Sequence, residues 1–159
     1  MSLVAKTIAF SLVAPGSVAV WVPLWLTRDV EPNASLFARL GGAALVLAGV
    51  AVFGWCAYDF VTSGRGTPAP IDAPRRLVVR GLYRHVRNPM YVGMAHALLG
   101  WVLIAPAPRT FGYATVVLVL FHLFVVLHEE PHLSRRFGDE YDAYCARVPR
   151  WWPRRSPEP

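Results

Sequence analysis

The 159-residue sequence has few charged residues, and its basic residues are almost never lysine. Charged residues make up 16% of the chain and hydrophobic residues 55%, a balance too apolar for an ordinary soluble domain. The net charge of +6 comes from fifteen arginines and a single lysine, Lys6. These arginines cluster between apolar runs, which is typical of membrane-flanking charge and argues against a nucleic-acid partner.

Cysteine is also scarce, which excludes a disulfide framework. Cys56 lies in an apolar run and Cys145 in a polar tail, so the two are not expected to pair. The chain has no C-x-x-C motif and no clustered Cys/His spacing, and we predict no metal. The five histidines are scattered. Those in apolar sequence, His96 and His122, are more often hydrogen-bonded core residues than ligands.

Four apolar runs, at residues 3–26, 36–61, 90–105 and 110–128, predict an all-α integral membrane protein with about four transmembrane helices. The first run lies where a signal peptide would, but its weak basic region and long apolar part favour a transmembrane helix. The third run is short and the fourth follows at once, which predicts a tight helical hairpin.

Small residues in the second run suit close contact with another helix. They are Gly41, Gly42, Ala43, Ala44, Ala48 and Gly49.

Arginine placement predicts the orientation. The loop at 27–35 holds one arginine against two acids, whereas the loop at 62–89 holds six against Asp72 alone, and the tail holds six more. The positive-inside rule therefore assigns the second loop, the tail and both termini to the cytoplasm. We expect a bacterial cytoplasmic membrane and one domain spanning 1–159, with two N-terminal transmembrane helices in 1–61 and the rest in 62–159.

The polar tail has its own helical pattern, and a Gly/Pro-rich loop precedes the third run. Apolar residues recur at helical spacing between charged neighbours, which predicts a C-terminal cytoplasmic amphipathic helix on the membrane surface. They are Leu133, Phe137, Tyr141 and Tyr144. The sequence VPRWWP (148–153) ends that helix with interfacial aromatics. The loop at 62–74 is predicted to be extended rather than helical.

The segment RNPMYVG (87–93) marks the junction between an arginine-rich stretch and the third apolar run. Asn88 is suited to cap a helix and Pro89 to its first turn, so a helix start alone accounts for both residues. It does not account for Tyr91 and Gly93.

The segment HEEP (128–131) ends the fourth run with two adjacent acids. The helix dipole, mutual repulsion and an anionic inner leaflet all disfavour Glu129 and Glu130 there. We therefore favour a functional role over the alternative, a solvated helix end whose acids pair with Arg135 or Arg136.

Together these segments predict a polar pocket at the cytoplasmic membrane face. Free N–H groups at residues 88–91 suit a carboxylate, and the glutamates suit hydroxyls or an ammonium. Tyr83 and Tyr91 suit an adenine or a cation. S-adenosylmethionine carries all of these groups, although many ligands share some of them.

Three segments resemble the membrane methyltransferases, a superfamily with isoprenylcysteine carboxyl methyltransferases and phospholipid N-methyltransferases. They are GLYRHVRNPMYVG (81–93), the EE pair and FGDEYDAYCARVPRWWP (137–153), and the resemblance covers roughly residues 75–153. NPMYVG followed by LLGW and HEEP is most similar to the phospholipid enzymes. The tail is more similar to the isoprenylcysteine enzymes, which usually have histidine where this chain has Asn88.

The resemblance implies an S-adenosylmethionine-dependent methyltransferase acting on a lipophilic acceptor, either a phospholipid amine or an isoprenylcysteine-like carboxylate or thiol compound. The expected partners are membrane lipids and that acceptor, which would enter from the bilayer. By motif position, the implied cofactor-binding residues are Leu77, Val78, Tyr83, Asn88, Pro89, Met90, Tyr91, Gly93, Glu129 and Glu130.

No catalytic residue follows from the sequence. An amine acceptor must lose a proton, and Glu129, Glu130 or His128 is available to take it. Two other functions stay open. One is a non-catalytic lipid-binding or scaffold protein, and the other is an NADPH enzyme related to sterol reductases, whose C-terminal half is similar.

Overall fold

The computed structural model describes residues 3–30, 34–64 and 76–152, which form helices and turns without any strand. The α-helices are α1 (Leu3–Gly16), α2 (Val22–Thr27), α3 (Leu36–Asp59), α4 (Pro89–Ile104), α5 (Pro108–Phe124), α6 (Glu130–Phe137) and α7 (Asp139–Arg147). Shorter turns extend or join them, namely π-helical turns at Ser17–Trp21, Phe60–Gly64 and Val125–Glu129 and a 3-10 turn at Gly81–Arg84.

Three helices are long and apolar enough to cross a membrane: Val4–Thr27, Leu36–Ser63 and Pro108–Phe137. The predicted all-helical membrane architecture is confirmed to this extent. The predicted fourth span, α4, has 16 residues, or about 24 Å of helix, somewhat less than a typical hydrocarbon core. Residues 105–107 connect it to α5.

Glycines bring α3 and α4 into backbone contact. A Cβ added to Gly42 would lie 2.6 Å from the carbonyl oxygen of Gly100, and one added to Gly93 would lie 2.8 Å from that of Gly49. Because Gly42 meets Gly100 while Gly49 meets Gly93, the two helices run antiparallel. Side chains at these positions would separate the helices, so glycine is required there.

The π-helical turn between α1 and α2 receives two side-chain hydrogen bonds from other helices. Trp101 Nε1 donates to the carbonyl oxygen of Ala19 and the Tyr113 hydroxyl to that of Val18, each at 2.8 Å. Backbone carbonyls inside a bilayer have no water to bond. These donors therefore stabilise the widened turn and fix the first helix against α4 and α5.

At the opposite end of α4, an ion pair between exposed Arg80 and buried Asp59 fixes the 3-10 turn that precedes the helix. Arg80 Nε lies 3.2 Å from Oδ1 of Asp59, whose side chain is only 1% exposed. Gly81 follows with φ of +56°, and an added Cβ would collide with the Asp59 carboxylate. Asp59, at the end of α3, thus fixes the position of Gly81 and of Tyr83, which lies two residues after Gly81.

The C-terminal tail differs from the single amphipathic helix predicted on the membrane surface. Gly138, with φ of +50°, separates α6 from α7. Tyr141 and Tyr144 are 4% and 5% exposed and pack with Leu77 and Phe137. The apolar face of the tail is therefore buried against the protein, because the loop before α4 offers it an apolar partner.

Part of the predicted extended loop at 62–74 is helical, since the turn Phe60–Gly64 continues α3. The rest of that loop, residues 65–74, lies outside the described residues. So do Pro153 and two of the tail arginines used to predict the orientation, Arg154 and Arg155.

Adjacent glycines provide a matched test of the contact between α3 and α4. We expect Gly42→Ala to lower the free energy of unfolding by roughly 1–3 kcal/mol, because the new methyl group would force the backbones apart. Gly41→Ala should leave stability unchanged or slightly raised, since nothing lies within 4 Å of its added Cβ. Thermal unfolding of both variants in detergent measures the difference. Equal losses of stability would contradict the contact.

Candidate active site

A cavity of about 60 Å³ lies where α3 ends and α4 begins. Six of the ten predicted site residues line it, namely Leu77, Val78, Tyr83, Asn88, Glu129 and Glu130. Seven further residues complete the lining, namely Phe60, Arg76, Arg87, Leu133, Phe137, Tyr141 and Tyr144. We call this space the polar cavity, because charged and amide side chains lie among its aromatic ones.

The other four predicted residues lie beside the polar cavity rather than in its lining. Pro89 is buried in the first turn of α4, and Met90 packs against the cluster that contains Tyr83. Gly93 contacts α3, as described above. Tyr91 lines a second space on the neighbouring face.

Asn88 precedes α4, but its side chain does not cap the helix. Its Nδ2 donates instead to the carbonyl oxygen of Arg150, at 3.3 Å. The first intrahelical bond runs from the Val92 N–H to the Asn88 carbonyl. The N–H groups of Met90 and Tyr91 therefore precede the helical ladder, while Pro89 has none.

Glu130 binds two arginines, neither of which is the Arg135 or Arg136 considered from sequence. Arg150 donates from Nε to Oε1 at 2.6 Å and from a terminal nitrogen to Oε2 at 2.8 Å. Arg87 Nη1 lies 3.1 Å from Oε1. Both carboxylate oxygens are thus engaged, and the hydrogen bonds to Glu130 raise the pKa of Arg150.

Glu129 has a different partner. The Tyr91 hydroxyl donates to Oε1 of Glu129 at 2.5 Å. The Tyr91 ring also meets Phe121 edge-on, with ring centroids 5.0 Å apart. Tyr91 and Glu129 are 38 residues apart in sequence, and this hydrogen bond joins the start of α4 to the turn that follows α5.

The second space is an apolar groove of about 550 Å³. Its lining residues are Tyr91, Leu120, Phe121, Leu123, Phe124, Leu127 and His128. Several of them are exposed, including Leu127 at 70%. Such a surface suits lipid rather than water. Because Tyr91 lines the groove and Glu129 lines the polar cavity, their hydrogen bond marks the boundary between the two spaces.

Residues 149–151, which we call the C-terminal strap, cross this end of the molecule. The Arg87 N–H donates to the Pro149 carbonyl at 2.9 Å. Arg150 binds Glu130, as above, and the Trp151 ring lies edge-on to Tyr91 with centroids 6.5 Å apart. The strap therefore contacts Arg87 and Glu130, which line the polar cavity, and Tyr91, which lines the apolar groove.

The tyrosines of the polar cavity act as neutral groups. Burial raises the pKa of Tyr83 and of Tyr144 well above the ordinary value of a phenol. The Tyr144 hydroxyl donates to the Tyr83 carbonyl at 2.8 Å. These phenols serve as hydrogen-bond donors and aromatic surfaces, and they are poor candidates for a general base.

Sequence reasoning missed most of the aromatic wall and both arginine partners of Glu130. The signal for Tyr141 and Tyr144 was present in the tail's helical spacing, but it was interpreted as a membrane-facing stripe. Arg87 belongs to the loop arginines that indicated membrane-flanking charge. No local signal pointed to Phe60, because it lies within a continuous apolar run.

The bidentate ion pair predicts that Glu130 stabilises the site. Glu130→Gln should lower the free energy of unfolding by roughly 1–3 kcal/mol, since two guanidinium groups would lose their anionic partner. Thermal unfolding in detergent gives the stability, and protease cleavage after Arg150 reports release of the strap. Glu140→Gln, at an exposed position of α7, is the control. Comparable behaviour of the two variants would refute this role.

Comparison with known proteins identifies the family of this fold and site. The model of the phospholipid methyltransferase family matches residues 37–140, a range that includes α3 from its second residue, α4, α5 and both glutamates. No solved structure matches the chain significantly.

Two relatives differ in how much of their length the chain covers. A phosphatidylethanolamine N-methyltransferase of Malassezia globosa is 29% identical over 143 residues, which are 86% of this chain and 13% of that protein. An uncharacterized protein of Haemophilus influenzae is 31% identical over 62 residues, which are 39% of this chain and 98% of that protein. The family match, over more than half of the chain, shows that this membrane protein belongs to the phospholipid methyltransferase family.

Proposed function

We propose that the protein transfers a methyl group from S-adenosylmethionine to an amine of a lipophilic acceptor at the membrane surface. The observation that carries this proposal is the Tyr91–Glu129 hydrogen bond, where the polar cavity and the apolar groove meet. A polar methyl donor and a lipid acceptor need two such unlike spaces that share one boundary.

Groups in and beside the polar cavity fit the charged end of this cofactor. Free N–H groups of Met90 and Tyr91 suit its carboxylate, and Glu129 suits its ammonium. Bound there, the cofactor would supply a methyl group on a sulfonium centre. Met90, Tyr91 and Glu129 are three of the ten residues named from sequence, and Glu130 would act through its arginine partners.

The size of the polar cavity limits what its enclosed part can hold. About 60 Å³ is room for roughly two water molecules, whereas cofactor-sized ligands occupy pockets of roughly 300 Å³ or more. The enclosed part therefore suits the amino-acid end. The nucleoside would extend toward Arg76, which is the exposed member of the lining, and between the rings of Phe60 and Phe137.

Charge at the boundary favours an amine acceptor over a carboxylate. A headgroup reaching Tyr91 from the groove meets the Glu129 carboxylate, which attracts an ammonium and repels an anion. With both oxygens of Glu130 engaged, the remaining candidates for accepting the amine proton are Glu129 and His128. The residues that line the cavity and the groove would contribute to the rate mainly by holding the acceptor amine and the methyl donor in line.

The arrangement of the chain in the membrane completes the proposal. We infer four membrane passes, with α4 as the short fourth, in a single domain over 1–159. Arginines at the cavity end of the bundle, including Arg76, Arg84 and Arg147, support a cytoplasmic site. Both termini would then be cytoplasmic, in a cytoplasmic membrane, and membrane lipids would be the surrounding partners.

Cofactor binding provides the first test. Calorimetric titration of S-adenosylmethionine into detergent-purified protein should give saturable binding. Glu129→Gln should weaken it roughly 10-fold or more, because a charged partner of the ammonium is lost. Glu140→Gln should leave it unchanged. Folded wild-type protein that binds no S-adenosylmethionine would refute the proposal, and NADPH would then be titrated to test the reductase alternative.

The groove gives a separate prediction about the acceptor. Leu123→Trp should lower methyl transfer to phosphatidylethanolamine in mixed micelles at least several-fold, because the indole would fill part of the groove. Binding of S-adenosylmethionine should not change. The control is Leu47→Trp, an exposed apolar position on α3. If Leu123→Trp had full activity, the groove would not be the acceptor site.

A further inference from the structure

The aromatic residues that line the apolar groove form two contacting pairs. Tyr91 meets Phe121 edge-on, and Phe124 is stacked on His128, with ring centroids 5.0 Å apart in each pair. Phe124 is 42% exposed, so much of its surface is open to a ligand in the groove. We call these four residues the aromatic corner.

A carboxylate lies beside the aromatic corner. Glu129 Oε1 accepts the hydrogen bond of the Tyr91 hydroxyl at 2.5 Å. The next acid, Glu130, is offset by Arg87 and Arg150. No arginine or lysine is among the described residues that line the groove. The charge nearest to the corner is therefore negative, and it complements a cationic ligand rather than an anion.

The groove offers a cation few hydrogen-bonding groups. Of its seven lining residues, only Tyr91 and His128 have polar side chains, and the backbone of the lining helix is bonded within the helix. A primary ammonium has three N–H donors, and leaving them without partners is unfavourable. Methyl groups on the nitrogen replace these donors with apolar surface and keep the positive charge. Such a cation is the kind that aromatic rings attract.

We propose that the aromatic corner binds N-methylated ammonium headgroups of lipids in preference to unmethylated ones. This inference rests on the proposed function in one respect, because it takes the groove as the site of the lipid acceptor. The acceptor favoured there already carries one or two N-methyl groups. An earlier N-methylation of a primary lipid amine must supply it.

The preference is measured as binding, without any methyl donor. Three phospholipids with the same short acyl chains carry ethanolamine, N,N-dimethylethanolamine or choline. Each is titrated calorimetrically into the full chain in maltoside detergent, and the heat of mixing with protein-free micelles is subtracted. Wild-type protein should bind the dimethyl and choline lipids roughly 10-fold more tightly than the ethanolamine lipid, because only the methylated headgroups fit rings without lost hydrogen bonds.

Phe124→Leu separates the effect of an aromatic ring from that of apolar bulk. Leucine remains apolar but has no aromatic face, so the preference for methylated headgroups should fall at least about threefold. The affinity for the ethanolamine lipid should change less than about twofold. Phe111→Leu is the matched control, because Phe111 is an exposed ring on the same helix but outside the groove lining. It should keep the wild-type preference.

Equal wild-type affinity for the three lipids would overturn the inference, and so would tighter binding of the ethanolamine lipid or no binding of any of them. An unchanged preference in Phe124→Leu would also overturn it. None of these results contradicts methyl transfer from S-adenosylmethionine, whose binding is titrated separately. Failure of folded protein to bind S-adenosylmethionine would overturn the proposed function, even if the preference for methylated headgroups were found.

Discussion

The backbone contact between α3 and α4 is the constraint on which the rest of the structure depends. The glycines of each helix lie seven residues apart, Gly42 and Gly49 facing Gly100 and Gly93, so the contact repeats after about two helical turns. A helix pair held this closely has little freedom to slide. The end of α3 is therefore fixed beside the start of α4, and both proposed ligand spaces are built at that junction.

Electrostatics then organises the junction. Two arginines from distant parts of the chain meet one glutamate within the continuous helix Pro108–Phe137. The helix expected to end at Glu129 and Glu130 continues to Phe137, so the helix dipole does not oppose the glutamates there. The two guanidinium groups offset the neighbouring charge of Glu129. No arginine of the described residues bonds Glu129, whose carboxylate accepts the hydrogen bond from Tyr91.

Much of the fold was predictable because apolar run length and arginine position are local properties of the sequence. Three runs became membrane-length helices, and small residues in the second run indicated close packing. Composition could not say which glycines make the contact, since Gly41 and Gly42 are adjacent and only Gly42 faces α4. That choice depends on the rotation of the helix.

The site was predictable in part, for a similar reason. Motif residues such as Tyr83, Asn88 and Glu129 do line the polar cavity. Tyr91 pairs with Glu129 and Glu130 with Arg150 because the fold brings distant segments together. No local sequence pattern predicts such pairs. The tail shows the limit of periodicity, because an apolar stripe has the same spacing whether membrane or protein covers it.

The C-terminal strap has a consequence for biosynthesis. The ribosome makes residues 149–151 after the described membrane helices, so those helices are available to the insertion machinery before these residues exist. Strap contacts with Arg87, Asn88, Glu130 and Tyr91 therefore form only after those helices have been made. A chain whose described helices have inserted would still lack this wall of its site until residues 149–151 have been made.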